Sequence, residues 1–214
     1  MKDYKTIGKS GEAEFTVSKS RFIGYAKPVE TENEALEFIE FIRKKHWNAA
    51  HNVPVYIIGD DFQIQRFSDD GEPSGTAGVP ILDVLKKEGI TNVCMVITRY
   101  FGGIKLGTGG LVRAYTHAAK IALNTCGLIF QKQFEQVFIT LDYHAHGKVQ
   151  NLLMECKEVI VKDTEFSDVV RLEVYVDPLY APALESHINE LTSGKGILEI
   201  MKPVYVAIPC EDLL

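Results

Sequence analysis

The pattern of apolar residues starts twice. Beyond Cys126-Gly127 it spells a strand over 134–141, a helix over 143–156, strands over 158–166 and 169–176, a helix over 182–191 and a strand over 196–208. This βαββαβ order is the split βαβ arrangement of a ferredoxin-like sandwich, two helices covering one face of an antiparallel sheet. It assigns residues 130–214 to a C-terminal ferredoxin-like domain and leaves residues 1–129 as an N-terminal domain, an α+β chain of two domains. The 214 residues agree, because two cores of about 100 residues each lie nearer the common domain size than one of twice that.

In the first half, Phe15, Val17, Phe22, Ile23, Tyr25 and Val29 mark two short strands interrupted by Ser18-Lys19-Ser20-Arg21, a predicted hairpin. Thr31 and Glu34 have capping-box spacing, and Ala35, Phe38, Ile39 and Ile42 follow at helical spacing, so a helix is expected to end near Lys45. A β-rich run over 53–58 and alternation over 62–67 predict a second hairpin, turning at Gly59-Asp60-Asp61. A short helix over 79–87, a strand of buried type over 93–98 and a long helix over 111–123 complete this half.

Two segments are too rich in glycine for simple connectors, and each runs from a strand into a helix. The first is residues 67–78, FSDDGEPSGTAG; the second is residues 98–113, TRYFGGIKLGTGGLVR. Glycine lets the backbone approach a ligand and turn successive amides into one hollow, as phosphate cradles do. A phosphate there also meets a helix N-terminus, which favours it by about 0.3–1 kcal/mol, and charge-assisted hydrogen bonds from cations add roughly 1.5–3 kcal/mol each. The candidate phosphate or nucleic-acid site is therefore Gly75 and Thr76 of the first segment, Arg99, Tyr100, Gly102, Gly103, Lys105, Gly107, Thr108, Gly109, Gly110 and Arg113 of the second, with Arg21 and Arg66 adding charge. The alternative is that these glycines serve turns and close packing only.

Neither a Walker A loop nor a dinucleotide fingerprint is present. Arg113, His117 and Lys120 make a basic stripe opposite the apolar face of the long helix, which also reads as an ordinary solvated face. Asp69, Asp70 and Glu72, with His51, are candidate ligands for Mg²⁺ beside a phosphate, although acidic residues in such loops commonly fix turns. His46, Asn48 and His51 read as local structural hydrogen bonding, and His144 and His146, two apart on a helix, diverge.

The formal net charge is -6, which argues against indiscriminate coating of nucleic acid, but it is unevenly spread: residues 1–129 hold 16 basic against 15 acidic residues, residues 130–214 hold 7 against 14. An anion-binding role therefore falls to the first half. No apolar run approaches the roughly 20 residues needed to span a bilayer, and residues 1–9 are polar, so no membrane partner and a cytoplasmic location are expected. Four singly scattered cysteines read as reduced thiols.

The Ser20-Arg21-Phe22-Ile23 start, the His46-x-Asn48-Ala49-x-His51 passage and the two glycine-rich segments together resemble the bacterial YigZ branch of the IMPACT family, over the whole chain. The resemblance implies an N-terminal domain of the ribosomal-protein-like type with a left-handed βαβ crossover, as in elongation factor G domain IV, and a C-terminal unit like domain V of that factor. It also implies a translation-associated role, with RNA, the ribosome or a translation-related protein as partner and no DNA-specific signal. The leading expectation is a non-enzymatic regulator that binds RNA, the ribosome or a nucleotide phosphate on the two loops, without a cofactor. Two alternatives stand beside it: a metal-dependent hydrolase, which requires Asp69, Asp70, Glu72 and His51 to converge, and a protein-interaction module docking through the acidic C-terminal half.

Overall fold

The computed structural model describes residues 3–210. The chain forms two compact units: one runs to Gln131 and takes in the chain again from Ala207, and the other spans Lys132–Val206.

In the first unit, β2 (Gly11–Val17) and β3 (Ser20–Pro28) form a hairpin with Val17 opposite Ser20. Its two turn residues, Ser18 and Lys19, both have positive φ (47° and 63°), the conformation whose twist matches the flanking strands. Ser20 and Arg21, expected in the turn, belong to β3. Helix α1 (Glu32–Lys45) begins at Thr31, whose hydroxyl accepts the Glu34 amide at 3.2 Å; the Glu34 carboxylate reaches past the cap to the Glu30 amide at 2.8 Å. β4 (His51–Ile58), β5 (Ile64–Phe67), α2 (Gly78–Lys87), β6 (Val93–Tyr100) and α3 (Gly107–Cys126) follow.

The sheet order is β2-β3-β6-β4-β5. Both β3 and β4 pair antiparallel with β6, so they run parallel to each other and α1 carries the chain across β6 between them. Strand alternation then divides two cores. Phe22, Ala26, Val53, Val55, Met95 and Ile97 face α2 and α3, whereas Ile23, Tyr25, Tyr56, Cys94 and Val96 face α1. Covered on both faces, β6 is apolar throughout 93–97, which explains its unbroken hydrophobic run. At Gly24 a Cβ would lie 2.8 Å from the Ala118 carbonyl, so glycine there permits the close approach of α3 to β3.

A short strand that hydrophobic alternation does not reveal, β1 (Tyr4–Ile7), pairs with the first four residues of β7 (Leu128–Leu141). Strand β7 thus begins six residues earlier than the predicted 134–141. In the second unit β7, α4 (Tyr143–Glu155), β8 (Val159–Phe166), β9 (Val170–Val176), α5 (Ala181–Leu191) and β10 (Ile197–Pro209) follow the predicted order. The strands lie as β10-β7-β9-β8, the central ones giving Val137, Ile139, Leu172 and Val174 to a core closed by Val149 of α4 and Ile188 of α5. The chain is a two-domain α+β fold, with no helix among the described residues long and apolar enough to cross a membrane.

Candidate functional site

Arg99 sits near the end of β6, in register with Phe22 of β3 on one side and His51 of β4 on the other. Its side chain is therefore directed to the α2/α3 face, where it is 4% exposed, with its guanidinium 5.3 Å from the Phe22 ring centre and 5.5 Å from that of Phe101. Such a charge needs a partner in the interior, and the first glycine-rich segment supplies it. Nη1 of Arg99 donates to Oε1 of buried Glu72 at 2.6 Å, and the Tyr115 hydroxyl of α3 donates to the same oxygen at 2.7 Å. Burial first, and then the adjacent Glu72 charge, push the Tyr115 hydroxyl above its ordinary range, so it remains a donor. His51 donates from Nδ1 to the Asp70 carbonyl at 2.7 Å, and its Nε2 lies 3.7 Å from Glu72 Oε1. Nη2 of Arg99 reaches Ser20 Oγ only at 3.4 Å, and its buried Nε has no hydrogen-bond partner.

Above this cluster lies a cavity of about 380 Å³. Its buried floor is Glu72 and Arg99; Phe101, Lys105, Gly107 and Thr108 form an exposed rim. One wall is apolar, from Leu106, Leu111, Phe101 and Pro73. Helix α3 starts at this rim, four residues earlier than periodicity predicts, because Gly107–Gly110 form its first turn. Its cap residue, Leu106, has no side-chain oxygen and makes no capping bond. The positive end of a 20-residue helix therefore opens beside the cavity. Arg113 lies alongside: a Cβ on Gly109 would be 3.7 Å from its Nη1. Neither Lys105 nor Arg113 makes a salt bridge among the described residues.

The first glycine-rich segment bonds the amides at its helix-proximal end internally. The Asp69 carboxylate accepts from Gly75 N at 2.8 Å, Ala77 N at 3.1 Å and Gly78 N at 2.8 Å. Burial alone raises the Asp69 pKa, but these three bonds outweigh it and hold the carboxyl below its ordinary value. Gly75 thus has no free amide to offer, and the Thr76 hydroxyl donates to the Pro73 carbonyl. Asp70 accepts from Asn52 N at 2.6 Å and lies 3.6 Å from Arg43. With Glu72 held by Arg99 and Tyr115, the carboxylates proposed as metal ligands are each committed elsewhere, and no His/Cys/Asp/Glu group among the described residues is placed to hold a metal ion.

The second segment divides. Gly102 donates to Ser20 Oγ at 3.2 Å and abuts the Lys19 backbone so closely that a Cβ has no room, which locks this loop to the β2–β3 turn. Gly103 has φ of 84° at an exposed turn. Tyr100, one residue beyond Arg99, points to the opposite sheet face and binds His46 Nδ1 at 2.9 Å. Arg21, paired in register with Tyr100, lies on that same face and is bound to Glu14. Arg66, opposite Tyr56 on β5, also lies there and is exposed. The structure therefore gathers His51, Glu72, Arg99, Lys105, Gly107 and Thr108 at one cavity, with Gly109, Gly110 and Arg113 beside it, and sets Arg21, Arg66, Tyr100 and Gly75 apart. Tyr115, Ser20 and Phe101 escape sequence reasoning as site residues because each reads as an ordinary core or turn residue.

Residues 18–123 match the Impact N-terminal domain, and residues 139–195 match a domain of unknown function, DUF1949. The IMPACT family member YvyE of Bacillus subtilis (strain 168) is 46% identical over 196 residues, covering 92% of this chain and 90% of that protein. The IMPACT family member YigZ of Escherichia coli (strain K12) is 36% identical, with 83% and 88% covered. A crystal structure described as that of a hypothetical protein superposes with a TM-score of 0.60 at 29% identity, covering 94% of this chain and 98% of that one. With both domains matched in order and this identity sustained over nearly the full length, the chain belongs to the IMPACT family.

Proposed function

We propose that the protein is a non-enzymatic, cytoplasmic, translation-associated regulator that binds a phosphate of RNA or of the ribosome at the N-terminus of α3. One observation carries this reading: the uncapped glycine turn Gly107–Gly110 opens beside a cavity whose lining includes Lys105, an exposed cation with no salt bridge among the described residues, and the buried Arg99. The helix end contributes about 0.3–1 kcal/mol to anion binding, so the charge-assisted bonds, at roughly 1.5–3 kcal/mol each, supply most of the affinity. Lys105 is then the chief exposed contributor, since Glu72 offsets the Arg99 charge. Arg113 reinforces the site from one turn further along.

The reading is tested by the affinity of the full chain for a single-stranded RNA at several salt concentrations. Each neutralised phosphate adds about 0.7 to the magnitude of the log–log slope. Lys105→Ala is expected to weaken binding for every RNA sequence and to flatten that slope by about one phosphate. Binding indifferent to salt, or a Lys105→Ala slope equal to that of the parent, would count against the reading.

A further inference from the structure

We infer that the cavity under α3 is a pocket for a guanine base whose nucleotide phosphate sits at the rim. This rests on the phosphate reading above and adds the base that accompanies the phosphate, in a free guanine nucleotide or in a guanosine of an RNA strand. The acceptors on the floor carry the inference. Glu72 Oε1 is filled by its bonds from Arg99 and Tyr115, whereas no hydrogen bond or ion pair among the described residues engages Oε2. Arg99 Nε is the one buried side-chain nitrogen or oxygen among the described residues without a partner, so the unbonded Oε2 is not shut off, and Glu72 lines the cavity. His51 lines it too and adds a second acceptor. Its Nδ1–H is donated to the Asp70 carbonyl, which leaves Nε2 of the neutral ring with a lone pair, 3.7 Å from Oε1 of the same carboxylate.

Two neighbouring acceptors call for two neighbouring donors, and charge decides their kind. Arg99 stands 2.6 Å from Glu72, and Lys105 is at the rim, so the site as a whole is not anionic and does not favour an ammonium or guanidinium ligand. A neutral pair of N–H groups meets both acceptors without adding a cation. Among the four RNA bases, guanine alone carries adjacent donors on one edge, N1–H and the N2 amino group. Adenine and cytosine set their amino group beside a ring-nitrogen acceptor, and uracil flanks its N–H with two carbonyls; each of those acceptors would face Oε2 or Nε2 unpaired. The wall of Phe101, Leu106, Leu111 and Pro73 is apolar and suits the face of a flat ring, with Phe101 51% exposed at the mouth. The base therefore enters, and the phosphate stays at the rim beside Lys105 and the first turn of α3. The volume of about 380 Å³ falls in the range of small-molecule sites, at its lower end.

The experiment is calorimetry on the full chain with the 5′-monophosphates of guanosine, inosine, adenosine and uridine, with guanosine and inosine themselves, and with a uridine-rich RNA oligonucleotide carrying one central guanosine or inosine. Inosine lacks only the N2 amino group, and a site built around that donor loses about tenfold or more in affinity without it. Guanosine monophosphate is expected to exceed each of the other monophosphates by at least about that factor. A preference confined to free nucleotides assigns the pocket to small nucleotides, and one that extends to the oligonucleotide assigns it to an RNA strand; either supports the inference. Glu72→Gln, which puts an amide where the carboxylate stood, is expected to remove the preference, with a urea midpoint on the same sample to separate a lost base contact from a lost fold. The comparison of guanosine with inosine monophosphate on the parent chain decides the matter even where that variant does not fold. Should the monophosphates all bind alike and weaken together in Lys105→Ala, the base pocket is overturned and the phosphate site stands. Should guanosine outbind inosine while Lys105→Ala alters nothing, the phosphate reading falls and the pocket stands. Should none of these ligands bind, both fall.

Discussion

At the scale of single residues, the two histidines of one motif perform different work because His46 closes α1, whereas His51 opens β4. His46, on the α1 side, is satisfied in its neutral form. Tyr100 donates its hydroxyl to Asn48 and accepts from Nδ1, and Nε2 faces the Tyr25 hydroxyl at 2.7 Å. Burial, followed by the charges of Lys45 and Arg21, lowers its pKa. As pH falls through about 6.5, the unfolded chain takes up a proton that folded His46 refuses. Stability is therefore expected to decline from that pH downward and to level off below the folded pKa. Urea midpoints at neutral pH and one to two units lower should differ less in His46→Phe than in the parent; an equal difference in both would exonerate His46. His51 is five residues further on and differs in kind, tied to a backbone carbonyl and facing the cavity. Spacing alone does not distinguish these two roles.

At the scale of elements, the two glycine-rich segments look alike in composition yet enter their helices by different means. Helix α2 is capped from a distance: Ala77, its cap residue, has no side-chain oxygen, and Asp69 reaches in to take the Ala77 and Gly78 amides. Helix α3 has no such donor of a carboxylate, so its first turn remains open. Asp69→Ala is expected to cost about 0.5–2 kcal/mol, the range for losing a helix cap. Chemical denaturation checks this, and an unchanged midpoint would show that water replaces the carboxylate without penalty. Because the Asp69 pKa is lowered on folding, its contribution is present above the unfolded carboxylate pKa of about 3.9 and fades as pH drops through the folded value. Asp69→Ala and the parent should accordingly converge in stability in strong acid. The acidic residues of this segment were legible as candidate ligands or turn formers; which they are depended on amides that approach only when α2 packs against the sheet.

At the scale of the whole molecule, burial separates the cysteines into two classes. Cys94 and Cys126 are within cores of the first unit, whereas Cys156 and Cys210 are half-buried. Burial pushes the Cys94 thiol up to about 12 and raises that of Cys126, so neither ionises near neutrality in the folded chain. Thiol labelling of native protein should modify Cys156 and Cys210 first, with Cys94 and Cys126 reacting at the rate of unfolding; rapid native labelling of Cys94 would contradict the core assignment. The order of the longer elements, the two-domain α+β class and the family were all readable in the chain, because hydrophobic periodicity and short turn motifs are local properties. β1 was not, since four residues with little alternation become a strand only when the start of β7 lies beside them. Nor was the partition of the cations: Arg21, Arg66, Arg99, Lys105 and Arg113 are equal as charges in a line of text, and sheet register alone directs Arg99 inward onto Glu72 while Arg21 meets Glu14 on the other face. Composition could announce that a hollow of amides and cations was available, but which amides stayed free depended on which carboxylate folded back to reach them.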